Sequence, residues 1–156
     1  MAMELKGEIL IPAPRDRVYA ALNNTETLQK AIPGCEELIR LSDTELEAKV
    51  VLKIGPVKAR FSGKVTLDQT GAPATFSLRG EGSGGVAGFA KGGAVVTLED
   101  RGAETLLSYD ASADVGGKIA QLGSRLIAGA AKKLADQFFT TFATEVTTAE
   151  EGRVAG

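Results

Sequence analysis

Between Gly117 and about Ala149 no proline occurs, and large apolar residues return at three- and four-residue steps. They are Ile119, Leu122, Leu126, Leu134, Phe138, Phe142 and Val146, with Ala130 keeping step between Leu126 and Leu134. The spacing predicts one long amphipathic helix, set off from the preceding segment by Gly116-Gly117. At 1.5 Å per residue it would run roughly 45–50 Å. An isolated helix of this kind is only marginally stable, so it needs a broad apolar surface to lie on. Burying each Leu or Phe of its stripe contributes at most about 1.5–3 kcal/mol.

The upstream sequence reads as that surface. Leu5, Gly7, Ile9 and Ile11 alternate with charged residues, which predicts a half-buried strand ended by Pro12-Ala13-Pro14. Pro14 suits the first turn of a helix, with Asp16 complementing its dipole, and Val18, Ala21 and Leu22 form its apolar side. That helix stops near Asn23-Asn24, and a second short helix is expected over Glu26–Ala31, closed by Pro33-Gly34. The clearest strands follow. Leu46, Ala48, Val50, Leu52 and Ile54 alternate with polar residues, Gly55-Pro56 turns the chain, and Val57, Ala59, Phe61, Gly63, Val65 and Leu67 alternate back. Phe76 and Leu78, then Ala94, Val96 and Leu98, then Leu107, Tyr109, Ala111, Ala113 and Val115 mark further inward faces. The order is one strand, two short helices, about six antiparallel strands and a long helix. This predicts an α+β helix-grip fold, a curved antiparallel sheet wrapped on its C-terminal helix, as one domain over residues 1–149 with a loose tail at 150–156.

Composition removes several kinds of function. Lys and Arg number 18 against 20 Asp and Glu, a net charge of −2, which argues against a nucleic-acid partner. Histidine is absent, so His-based metal sites, Ser-His-Asp triads and Cys-His dyads are excluded within the chain. The single Cys35 cannot form an intrachain disulfide. No secretory pattern opens the sequence and no apolar run approaches a bilayer span, so a soluble cytoplasmic protein is expected, with no cofactor called for.

Candidate sites are few. Gly80-Glu81-Gly82-Ser83-Gly84-Gly85 formally matches G-x-G-x-x-G, but that motif binds dinucleotides only between a strand and a helix, and here a strand follows. The glycines are expected to make a bulged hairpin turn or, as the functional version, a mobile flap with Phe89 as its apolar tip. The small residues Gly123, Ala128, Gly129, Ala130 and Ala131 in the helix predict tight packing on the sheet or close approach of a ligand. Lys58, Arg60 and Lys64 form a basic row on one strand, joined by Arg125, Lys132 and Lys133 on the helix; most such rows are simply solvated, and a minority dock acidic partners or anionic lipid. Cys35 is expected to be structural. Several inward positions are small (Ala48, Ala59, Gly63, Ala111 and Ala113), and small residues under a broad sheet leave space. The reading is therefore an apolar cavity lined by Phe61, Phe76, Leu78, Phe89, Tyr109, Ala111, Leu126, Ile127 and Phe138, with Tyr109 as a polar tip. The plainer reading makes most of them core.

Four separated motifs in order carry a resemblance. They are Ile32-Pro-Gly-Cys-Glu-Glu-Leu38; Ile54-Gly-Pro-Val-Lys58 leading into Phe61-Ser-Gly-Lys64; the glycine-dense stretch 80–93; and Leu122-Gly-Ser-Arg-Leu-Ile127 with Ala131-Lys-Lys-Leu-Ala-Asp-Gln-Phe-Phe139. Over about residues 3–145 the chain resembles the G-subunit family of carbon monoxide dehydrogenase, part of the START-like helix-grip (SRPBCC) superfamily. The resemblance implies a non-catalytic accessory protein serving a molybdenum-containing dehydrogenase of the xanthine oxidase type. It also implies a hydrophobic quinone- or lipid-like ligand in the sheet–helix cavity, and a role in membrane recruitment or electron-acceptor delivery at the inner face of the cell membrane. Many members attach to the membrane through an apolar or proline-rich C-terminal extension, which the sequence through Gly156 does not show. Two rival readings stand beside this one. One is an assembly or docking factor with a solid interior. The other is an enzyme of cyclase or hydrolase type, for which the chain offers only Tyr109, Glu81 and Lys91 as acid–base groups.

Overall fold

A computed structural model describes the backbone of residues 1–155 and the side chains of residues 1–148. The expected tail at 150–156 therefore lies outside the residues described with their side chains. The first strand, β1, is Ala2–Ile11, and two short helices follow, α1 (Arg15–Leu22) and α2 (Thr25–Ala31). Pro14 caps α1 by offering its carbonyl to the amides of Arg17 and Val18, both at 3.0 Å. Asn24 caps α2 by accepting the Thr27 amide at 3.0 Å.

Six antiparallel strands come next: β2 (Cys35–Arg40), β3 (Glu45–Ile54), β4 (Val57–Asp68), β5 (Thr75–Ser83), β6 (Phe89–Arg101) and β7 (Glu104–Gly116). With β1 they form one seven-stranded sheet in the order β1-β7-β6-β5-β4-β3-β2. The chain ends in the helix α3, Ser124–Ala155, which lies on the concave face and also touches α2. This is the helix-grip arrangement expected from the strand alternation.

Two elements depart from the sequence reading. β2 is a strand that the alternation rule passes over. A bulge between Cys35 and Glu37 puts two acidic residues in succession and breaks the period of two. The long helix also starts later than the apolar spacing predicts. Residues Lys118–Leu122 form a separate 3-10 helix, closed at either end by Gly117 (φ 78°, ψ −154°) and Gly123 (φ 92°, ψ 154°). Those backbone angles are essentially reserved for glycine and cannot continue an α-helix. Ile119 and Leu122, three residues apart, fit a 3-10 turn as well as an α stripe, so their spacing alone does not separate the two.

The core is unevenly filled. At one end Ile11, Val18, Phe76, Val96, Leu98, Leu107, Phe142 and Val146 pack into a closed cluster. At the other, a small cluster of Val115, Ile119 and Ile127 stands alone, with half-buried neighbours such as Met3, Phe61 and Ala90. The site lies beside this second cluster. Among the described residues no helix is long and apolar enough to cross a membrane.

Candidate functional site: an apolar cavity under the sheet

Register places small residues of four neighbouring strands in one line that ends on Val115 of a fifth. Ala48 of β3 faces Gly63 of β4; Gly63 faces Gly82 of β5; Gly82 faces Ala90 of β6; and Ala90 faces Val115 of β7. Side chains alternate between faces, so all five positions share the concave side. A second row, Gly80–Gly92–Ala113–Met3, runs parallel to the first. Along the first row, four of the five residues are glycine or alanine. Only Val115, which joins Ile119 and Ile127 in a buried cluster, carries a larger side chain.

The result is a cavity of about 470 Å³ between sheet and helix. The first row and Ala113 make its floor, Val50, Leu52, Ile54 and Phe61 one wall, and Met3, Ile32, Pro33 and Ile119 the ends. Ile127, Ala130, Ala131 and Leu134 of α3 close it from above. Every lining residue is aliphatic, aromatic, proline or glycine. No lining side chain donates or accepts a hydrogen bond, and none titrates. Such a hollow is within the size range of small-molecule sites and favours hydrocarbon, since an unpaired polar group moved into it costs several kcal/mol by general transfer scales, roughly 2–7.

The nine residues expected from the sequence divide into groups. Phe61 and Ile127 line the cavity. Phe76, Tyr109 and Phe138 belong to the filled end. Phe76 meets Tyr19 edge-on at 5.7 Å, Tyr109 stacks on Phe139 at 5.0 Å, and Phe138 meets Phe139 at 5.0 Å and Phe142 at 5.8 Å. Leu78 and Ala111 lie on the concave face in a row through Ala94, between the filled end and the hollow, and do not line it. Phe89 is on the convex side, 51% exposed, with its ring over its cross-strand partner Gly116. It is therefore not the tip of a flap, and both ends of the glycine-dense stretch are regular β-strand joined through a 3-10 turn at Gly85–Ala87. Leu126 stands at the rim, 42% exposed, near Gly55 of the β3–β4 turn. The break at Gly123 resets the helix phase and turns Ile127 inward in its place. Gly82, Ala90 and Ile119 line the cavity without having been named as cavity candidates, and Ala130 and Ala131, two of the small helix residues read as a place of close approach, line it as well. The signal that finds Gly82 and Ala90 is the row of paired small residues, which needs the strand register.

A sequence model of the carbon monoxide dehydrogenase G subunit (CoxG) matches residues 7–147. The chain belongs to the CoxG family. A search of curated proteins finds no significant match. Among solved structures, a conserved protein from Geobacillus kaustophilus superposes with a TM-score of 0.88 at 28% identity, over 94% of this chain and 97% of that one. A START superfamily protein from Mycobacterium smegmatis gives 0.71 at 13% identity, over 94% and 98%. The Zhui aromatase/cyclase from Streptomyces sp. R1128 gives 0.70 at 11% identity, over 94% of each chain. The fold is START-like, and it is shared with an enzyme, so fold alone does not decide the activity.

The remaining polar candidates of this CoxG-family chain lie away from the cavity. Glu81 and Lys91 face each other across β5–β6 on the exposed convex side. The Cys35 thiol is pushed up by burial, only partly offset by the Glu37 backbone, and it donates to the Glu37 carbonyl at 3.5 Å, so it stays protonated where a nucleophile would need the thiolate. In the basic row of β4, Arg60 donates twice to Glu36, at 2.7 and 3.2 Å, and Lys64 pairs with Glu45 at 2.9 Å. Gly129 points outward, with nothing within 4 Å of where a side chain would start, so neither close packing nor ligand approach accounts for it.

Proposed function

We propose that the chain is a non-catalytic accessory protein that holds an apolar molecule of quinone or lipid type in the sheet–helix cavity. It would serve a molybdenum-containing dehydrogenase of the carbon monoxide dehydrogenase type, as carrier or supplier of a hydrophobic electron acceptor. One observation carries this reading: a hollow of about 470 Å³ whose lining holds no polar side chain. General acid–base chemistry needs a titratable group within hydrogen-bond reach of the reacting atom, and the lining offers none. An apolar tail, by contrast, gains about 25 cal/mol for each Å² it hides from water. Membership of the CoxG family supports this choice of partner class.

The test is direct. Organic extraction of the purified protein followed by mass spectrometry should yield a quinone or lipid at near one-to-one stoichiometry. A short-chain quinone added to stripped protein should raise its melting temperature. An empty extract together with no thermal shift would overturn the proposal.

A further inference from the structure

One side chain in the cavity lining carries an atom other than carbon and hydrogen. The lining is otherwise Ala, Val, Leu, Ile, Pro, Phe and Gly, and the exception is Met3. It stands on β1, opposite Ala113 of β7. In its row across the sheet, Gly80, Gly92 and Ala113 bring at most one side-chain carbon each. Met3 is therefore the long side chain of that row, and it holds a thioether sulfur. It packs beside Val115, Ile119 and Ile127, the small cluster at the hollow end.

Position makes this sulfur reachable. β1 is an edge strand of the sheet, and Met3 is half-buried where its neighbours Ile119 and Ile127 are buried. The side chain is unbranched, with three rotatable bonds, so the sulfur can turn toward the hollow or toward water while the strand stays in place. A small oxidant meets it from either side.

We infer that Met3 is a redox-sensitive modification site, at which hydrogen peroxide converts the thioether to the sulfoxide and empties the cavity of its apolar ligand. A sulfur lone pair attacks one peroxide oxygen, an S–O bond forms as the O–O bond breaks, and water leaves. Sulfur gives up two electrons and the peroxide takes them, so the step is balanced with no further co-reactant. The product is a polar S–O group among lining side chains that have no donor to meet it. A ligand packed against that group would strip it of water, so binding should weaken by at least about 30-fold. The inference rests on the carrier reading for its purpose. A hydroquinone held in the hollow that passes two electrons and two protons to dioxygen makes hydrogen peroxide beside this sulfur. The modification then unloads a carrier whose cargo has been oxidised by the wrong acceptor.

Controlled oxidation tests it. The protein is treated with hydrogen peroxide, quenched with catalase and mapped by peptide mass spectrometry, and Met3 should gain one oxygen. The thermal shift given by a benzoquinone with a single isoprenoid unit should then disappear, while the ligand-free melting temperature stays near that of untreated protein. Methionine sulfoxide reductase should restore the shift. Met3→Leu retains Met1 and Cys35, so its quinone shift should survive the same treatment. Met3→Gln places a polar group of similar length at the site and should bind weakly without any oxidant. A shift that persists once Met3 is fully oxidised, or that is lost equally in Met3→Leu, would overturn the inference and leave the carrier. So would peroxide that oxidises Met1 and spares Met3, or oxidation that collapses the ligand-free melting temperature and so reveals a packing role. Untreated protein with an empty organic extract and no quinone shift would overturn the carrier reading and this inference together.

Discussion

Gly63 and Gly82 face each other across the β4–β5 ladder, and neither sends a side chain toward α3. They are the lowest point of the cavity floor, yet they are not equivalent. A Cβ at Gly63 would sit 3.0 Å from the Glu81 carbonyl oxygen, tighter than ordinary contact. A Cβ at Gly82 would have the Ser62 oxygen at 3.5 Å and the Gly63 Cα at 3.8 Å, which is ordinary packing. Gly82→Leu should therefore fold, since replacing glycine in a strand also lowers the entropy lost on folding. Its side chain should fill the hollow. The expected outcome is an unchanged or raised melting temperature with the quinone-induced shift abolished. A Gly82→Leu protein that still binds would place the ligand elsewhere.

Two glycines near the start of α3 should respond in opposite directions. Gly123 holds a backbone conformation (φ 92°) that other residues reach only at a cost of about 1–3 kcal/mol, so Gly123→Ala should destabilise by that amount. Gly129 lies inside the helix with open space where a side chain would go. Gly129→Ala should stabilise by about 0.4–1 kcal/mol. Urea unfolding of both variants checks the pair. Equal effects would mean that the helix does not begin at Ser124.

These two positions also show what a one-dimensional pattern can and cannot reveal. Alternation along β3 and β4 is legible because inward residues are apolar and nearly all outward ones polar, and the α3 stripe from Leu134 to Val146 is legible because its period is unbroken. The rim and floor are harder. A glycine contributes no hydrophobicity to either face, so Gly82 reads as turn when it is in fact strand. A bulge at Cys35 hides β2, and Gly123 hides the seam between a 3-10 turn and an α-helix. The aromatics Phe76, Tyr109 and Phe138 attract notice as cavity candidates through their size, and for the same reason they fill the end of the core where they sit. The hollow lies where side chains are missing.

The Glu36–Arg60 pair supplies a pH signature. The Arg60 guanidinium, hydrogen-bonded to both carboxylate oxygens, holds Glu36 below its ordinary range. A carboxylate with a depressed folded-state pKa stabilises the fold above its unfolded value, about 4.3, and loses that contribution as pH falls through the lower folded value. Both groups are exposed, so the effect is small and salt-sensitive. In an NMR titration the Glu36 carboxylate should inflect below the ordinary value in the wild type and return to it in Arg60→Gln. The difference in urea midpoint between the two proteins should shrink on acidification below about pH 4 and in high salt. A difference that grows with acid would contradict the assignment.

Thr105 tests the filled end, where no ligand effect is expected. It is completely buried on β7, paired with Ile11 of β1, and its hydroxyl donates to the Ala13 carbonyl at 2.7 Å. That carbonyl belongs to the corner where β1 turns into α1. Thr105→Val keeps the shape and removes the donor, leaving a buried acceptor without its partner. The cost should be about 1–3 kcal/mol by urea unfolding. Thr105→Ser keeps the donor and loses one buried methyl, so it should cost no more than about 1 kcal/mol. Quinone binding should be unchanged in both, because the cavity is lined from the other end of the sheet. A larger loss in Thr105→Ser than in Thr105→Val would show that packing, and not the hydrogen bond, holds the corner.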